Sequence, residues 1–153
     1  MVRRPSKTAL PELTLSVQYP GGKLDAPTRA QIRRWVRKSC DHPAEIVVRL
    51  VDEAEGKDLN RDYRGKDYAT NVLSFSYSAV PLLAGDLILC LPVVRREAVE
   101  QNKPAEAHFA HLVVHGMLHL QGFNHETDPD EAARMEAQER DILAALGFSD
   151  PYL

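Results

Sequence analysis

A chain of 153 residues, 44% hydrophobic and 27% charged, is long enough to bury one core and too apolar to be disordered. Its net charge of −3 excludes a global attraction to nucleic acid, so any such binding needs a local basic patch or a metal ion. No apolar run approaches the ~18 residues of a membrane span, and the basic start of the chain is followed by no signal-peptide core. The two cysteines, Cys40 and Cys90, read as reduced thiols of a cytosolic protein in a single domain over residues 1–153.

In chain order, Leu13, Leu15 and Val17 alternate with polar residues and predict a half-buried strand, ended by Tyr-Pro-Gly-Gly at 19–22. Asp25 or Thr28 caps a helix to about Ser39, with Pro27 in its first turn and Ile32, Trp35 and Val36 on one face. Its cationic residues, Arg29 to Lys38, read as a solvated face ahead of a phosphate-binding one. The β-branched run from Glu45 to Val51 is a second strand. Residues 52–60 suggest a short helix, and 59–67, rich in cations and short of apolar residues, a loop. Thr70–Tyr77 and Gly85–Leu91 give two more strands, and Pro92 opens a helix to about Gln101. A helix from Pro104 or Ala105 is apolar around much of its circumference and so is expected to be buried. Gly116 inside it implies close approach of another backbone or of substrate. A last helix runs from about Asp128 to Leu146, with an acidic first turn and Gly147 at its end. The expected fold is α+β: a four-stranded mixed sheet packed against about five helices, with the metal-binding helix buried.

The chemistry concentrates between residues 115 and 125. His115 and His119, four apart on a helix, share one face and can reach a single metal ion. Gly122 allows a left-handed turn that would return His125 to that face as a third ligand. Three imidazoles with a fourth position open are the pattern of a catalytic zinc site, which predicts one Zn2+ per chain. The spacing H-x-x-x-H-x-x-G-x-x-H is that of the metzincin proteases, but Gly116 stands where those enzymes carry their general-base Glu. Peptide hydrolysis is therefore disfavoured. Three neutral imidazoles leave the full charge of the ion on the site, which suits an anionic substrate such as a phosphodiester. Arg64 or Arg61 could supply the guanidinium that such a substrate needs. His111, one turn before His115, reads either as a partner of a metal ligand, as a substrate contact or as a packed helix histidine. His108 and His42 read as surface or capping residues.

The run His115-Gly-Met-Leu-His-Leu-Gln-Gly-Phe-Asn-His125 resembles the signature of the YbeY-type endoribonucleases, the bacterial rRNA maturation factors. Leu59-Asn-Arg-Asp-Tyr-Arg64-Gly-Lys-Asp, Thr70-Asn-Val-Leu-Ser-Phe75 and Gly85-Asp86-Leu-Ile resemble the family too, in order along the chain. The resemblance implies a cytoplasmic, metal-dependent, single-strand-specific endoribonuclease that processes the 3′ end of small-subunit rRNA and serves ribosome quality control. Its partners would be single-stranded RNA, ribosomal RNA and the small subunit or its assembly factors. It implies zinc at His115, His119 and His125 and a catalytic role for Arg64, with Arg61 and His111 as candidate substrate contacts. Asn124 stands where the family usually has Asp, and Ser76 where it usually has Pro. Two other readings remain open: a metzincin-like zinc hydrolase of another substrate class, and a non-catalytic ribosome assembly factor with structural zinc.

Overall fold

The computed structural model describes residues 10–123 and 128–153. Four strands, β1 (Leu13–Gln18), β2 (Ala44–Val51), β3 (Val72–Ser78) and β4 (Leu83–Cys90), form one sheet in the order β1-β2-β4-β3. The first three in that order are parallel, and β3 runs antiparallel to β4 at an edge. Five helices accompany them: α1 (Arg29–Ser39), α2 (Glu53–Arg64), α3 (Leu91–Glu100), α4 (Ala105–Leu120) and α5 (Pro129–Ala145). The mixed sheet and the five helices are those expected from the sequence.

The core lies mainly on one face of the sheet. Ile32, Trp35 and Val36 of α1, Ile46, Val48 and Leu50 of β2 and Leu87 and Leu89 of β4 pack there around α4. Val113, Val114, Met117 and Leu120 of α4 are almost wholly removed from water. Each such side chain contributes about 1.5–3 kcal/mol, which fixes α4 as a rigid central rod. The opposite face carries a smaller cluster of Val51, Leu73, Ile88 and Cys90, with Leu59 of α2 and Phe75 packed against it. Alternation along β3 thus sends Leu73 and Phe75 toward the α2 side, while Ser74 lies on the α4 side.

Three local expectations change. Residues 59–64 of the expected loop are helical: α2 continues to Arg64 and ends on Gly65, which takes the left-handed conformation with φ 69°, and only 65–67 remain outside it. Asp52 caps its start through the amide of Glu55, acidic residues fill its first turn and Arg61 and Arg64 its last, as the helix dipole favours. Few apolar residues suffice because α2 covers only the small cluster. Thr28, not Asp25, caps α1, in a reciprocal capping box with Gln31, and Pro27 lies before the cap rather than in the first turn. Gly116 is crowded by a side chain, not a backbone: a Cβ there would stand 2.7 Å from Leu87 Cδ2. Cys40 and Cys90 are both free.

Candidate metal centre and cavity

His111, His115 and His119 follow one another at four-residue intervals along α4, on the stripe that is not sealed in the core. His115 Nε2 and His119 Nε2 face each other at 3.1 Å. The far nitrogen of each ring is held. His115 Nδ1 lies 2.5 Å from Glu139 Oε1, and His119 Nδ1 lies 2.9 Å from the carbonyl oxygen of Phe123. A carbonyl and an ionised carboxylate only accept, so both Nδ1 atoms must carry protons. In neutral rings both Nε2 lone pairs then point at one another, an arrangement that a shared cation stabilises. Two nitrogen ligands in tetrahedral zinc coordination stand roughly 3.3 Å apart, so the pair fits such an ion.

The turn after α4 makes part of this possible. Gly122 takes φ 102°, as its place at the helix end led us to expect, and the Phe123 amide returns to the Leu118 carbonyl. That return brings the Phe123 carbonyl over the last helical turn, where it meets His119. The expected third ligand, His125, and the neighbouring Asn124 lie outside the described residues.

Glu139 is the functional residue that the sequence reading missed. It is wholly buried on α5, and it receives His111 Nε2 at 3.0 Å on one oxygen, His115 Nδ1 on the other and the Tyr152 hydroxyl as well. Burial pushes its pKa up, but the bonds from His111, His115 and Tyr152 override this and hold the carboxyl at about 2. Tyr152 is pushed far up by burial and by donating to Glu139. The segment that carries Tyr152 is tied down by Arg140, which pairs with Asp150 at 3.0 Å and lies over the Tyr152 ring, and by Lys103 on the Pro151 carbonyl.

His111, His115 and Glu139 also form a group whose donor atoms lie within 4.8 Å of one another and which could hold a metal ion. An ion held there would compete with the bonds that His111 and His115 make to Glu139. His115 and His119 face each other through Nε2 at the cavity that also holds Arg64, whereas His111 and His115 line a smaller one beside Tyr152. His111 lies outside the lining of the cavity that holds Arg64, and its ring serves Glu139. His108, expected at the surface, is instead buried and bonded to Glu97 at 2.9 Å, and burial lowers its pKa. Glu97 also accepts from Asn71, so it fixes the start of β3 against α3 and α4. His42 is half-buried beside the thiol of Cys40.

The cavity, of about 780 Å³, wraps the outer edge of β3. His115 and His119 line it from the α4 side, and Tyr63 and Arg64 from the end of α2. Thr70 to Ser76 form the floor between them. Among the described residues, its lining contains no Asp or Glu. Arg64, His115 and His119 thus line one cavity, with Arg64 arriving on a helix end. Arg61 does not line it; its guanidinium pairs with Asp58 at 3.2 Å and Asp62 at 3.3 Å. Among the described residues, no helix is long and apolar enough to cross a membrane.

A family model described as Endoribonuclease YbeY matches residues 22–147. The Endoribonuclease YbeY of Aromatoleum aromaticum is 60% identical over 96% of this chain and 97% of its own length. That of Methylibium petroleiphilum is 53% identical over 99% of both. The solution structure of TM1509 from Thermotoga maritima shares the fold with a TM-score of 0.56 at 26% identity, covering 90% of this chain and 98% of that one. The paired histidines, the arginine across the sheet edge and this near full-length likeness agree, and the chain belongs to the endoribonuclease YbeY family.

Proposed function

We propose that the whole chain, residues 1–153, is one zinc-dependent endoribonuclease domain that cuts single-stranded RNA. The observation that carries the reading is the pair of Nε2 atoms 3.1 Å apart at a cavity whose described lining has Arg64 and no carboxylate. A described lining with a guanidinium and no acid favours a phosphodiester over a peptide, because each anionic oxygen entering it meets only donors or neutral groups among those residues. Gly116 in place of a general-base Glu points the same way.

In this reading His115 and His119 hold the zinc through Nε2, with His125 as third ligand, one ion per chain. The ion would supply Lewis acidity to a phosphoryl oxygen. Glu139 and the Phe123 carbonyl fix the tautomer and orientation of the two rings, so the ligand atoms are set before any ion arrives. Glu139 is too buried to take a proton from substrate, and the described cavity residues offer no other carboxylate for that task. Arg64 grips the phosphate and stabilises the charge that develops as the bond breaks. His111 acts through Glu139 and Arg61 is a peripheral cation for the backbone of the RNA. The substrate in the cell is ribosomal RNA at the 3′ end of the small-subunit species, in the cytoplasm, with the small subunit or its assembly factors as partners. The relatives' name supports the endoribonuclease activity on which this reading builds.

The test is incubation of the purified protein with single-stranded RNA and with casein, with and without a chelator, beside Arg64→Ala. We expect RNA cleavage that a chelator stops and zinc restores. Arg64→Ala should lower kcat by about 10²–10³ with zinc content unchanged, and Arg64→Lys should recover only part, since an ammonium lacks the bidentate fork. Casein cleavage would favour a zinc hydrolase of another class, and no cleavage of either an assembly factor with structural zinc. Wild-type kcat in Arg64→Ala would remove Arg64 from the mechanism.

A further inference from the structure

We propose that Tyr63, held by Phe75 at the mouth of the cavity, is a stacking site for an unpaired nucleobase of the RNA strand. The proposal rests on the endoribonuclease reading and names how that site would take single strands.

Four tyrosines are exposed, and three of them lie together in the chain, the fourth being Tyr152 beside Glu139. Tyr63, Tyr68 and Tyr77, three of its five tyrosines, are 67%, 59% and 69% exposed, and all belong to the stretch from the end of α2 to β3. Tyr63 and Phe75 both line the cavity that holds His115, His119 and Arg64. Their ring centroids are 5.1 Å apart in an edge-on arrangement. Phe75 is itself anchored, since it packs against the small cluster under α2. Tyr63 is thus exposed yet braced, so presenting its ring to a ligand costs little further ordering. The helix end that carries it is fixed by Gly65 and by the wholly buried Asn60, whose amide donates to the Tyr68 carbonyl at 2.6 Å.

Chemistry selects the occupant. An exposed tyrosine next to an arginine pairs a π-face for a base with a fork for the adjoining phosphate, which is how proteins hold single strands without reading sequence. A base inside a duplex has its faces covered by its neighbours and cannot use such a ring. A protein partner or a second copy of this chain would use the same apolar surface but would not need the cavity or Arg64. The cavity, at about 780 Å³, has room for more than a phosphate.

The test measures binding of a 2′-O-methyl RNA oligomer to the zinc-loaded protein by fluorescence anisotropy, for wild type, Tyr63→Leu and Tyr63→Phe. Because Tyr63 is exposed, melting temperatures should match and certify the fold. We expect Tyr63→Leu to bind roughly 5- to 100-fold more weakly, the range for loss of one base–aromatic stack. Tyr63→Phe should retain wild-type affinity, because the ring and not the hydroxyl is used. The slope of log affinity against log salt should not change in Tyr63→Leu, since no phosphate contact is lost. Duplex RNA of the same sequence should bind wild type and Tyr63→Leu alike. Equal single-strand affinity of Tyr63→Leu and wild type would overturn the proposal. So would a changed oligomeric state in Tyr63→Leu with its RNA affinity intact, which would mark the patch as a protein interface. If wild type neither cuts nor binds single-stranded RNA, the endoribonuclease reading itself fails, and the stacking site with it.

Discussion

Glu139→Gln interrogates the metal centre without touching His115 or His119, the ligands proposed above. The glutamine keeps the shape of a side chain that is wholly buried on α5, where Met135 and Leu143 are buried one turn to either side. It has one accepting oxygen and one donating NH2 where the carboxylate has two acceptors. Three donors converge on Glu139: His111, His115 and Tyr152. If the NH2 meets His115 Nδ1, that ring must shift its proton to Nε2, and the atom facing His119 ceases to be a ligand. If it meets His111 and Tyr152 instead, His115 keeps a bond that is neutral and weaker. A hydrogen bond to a charged group is worth about 1.5–3 kcal/mol against about 1 for a neutral one. Loss of a partner that orients a metal-bound histidine lowers affinity by about 10–100-fold, or about 1.4–2.8 kcal/mol, a consistent range. Competition against a chromophoric chelator measures it directly. Zinc affinity should fall by that factor, and the metal-free protein should melt lower than wild type at neutral pH, because the bonds that hold the Glu139 carboxyl at about 2 outweigh the cost of burying its charge. Wild-type zinc affinity in Glu139→Gln would refute the claim that Glu139 sets the His115 tautomer.

Two further outcomes follow from the same geometry. Tyr152→Phe removes a hydroxyl bonded to Glu139 and keeps the ring beneath Arg140, so zinc affinity should fall by a few-fold, less than in Glu139→Gln; equal losses in chelator competition would contradict the order of contacts. Gly116→Ala gains about 1 kcal/mol of helix propensity but sets a methyl 2.7 Å from Leu87, itself fully buried, so overpacking of about 1–3 kcal/mol should leave a net loss in chemical denaturation.

The parts of this protein that were legible in its sequence are those written in local periodicity. The apolar stripe of α4, the alternation of β1 and the spacing of His115 and His119 depend on neighbours within one or two turns, and the structure keeps them. α2 was cut short because its helical signals are caps and charges, not an apolar stripe; Asp52, Glu55 and Gly65 were there to be read as a start and a stop. Glu139 was overlooked because its role depends on a contact across 24 residues. A sign of it existed: it sits midway between Met135 and Leu143, four from each, an acid in the middle of an apolar stripe. Such a residue needs buried partners, and three donors supply them. His108 failed the same way, since its partner Glu97 is on another helix.

The distribution of charge reconciles an acidic protein with an anionic substrate. The formal net charge is −3, and acidic residues outnumber basic ones by 22 to 19. Yet the described walls of the cavity hold a guanidinium and two imidazoles with no acid, and Glu139, the carboxylate that His111 and His115 meet among the described residues, does not line it and is saturated with donors. Recognition is therefore local. On the function proposed above, the favourable contacts of an RNA strand would begin where Arg64 and the paired histidines of α4 line the cavity at β3. Such a surface discriminates by what can enter the cavity more than by the total phosphate charge presented, and a flexible single strand can bend into it where a stiff duplex cannot. The rigid core under α4 holds the histidines, and the capped end of α2 holds Arg64, so the two halves of the site stand in place before the strand arrives.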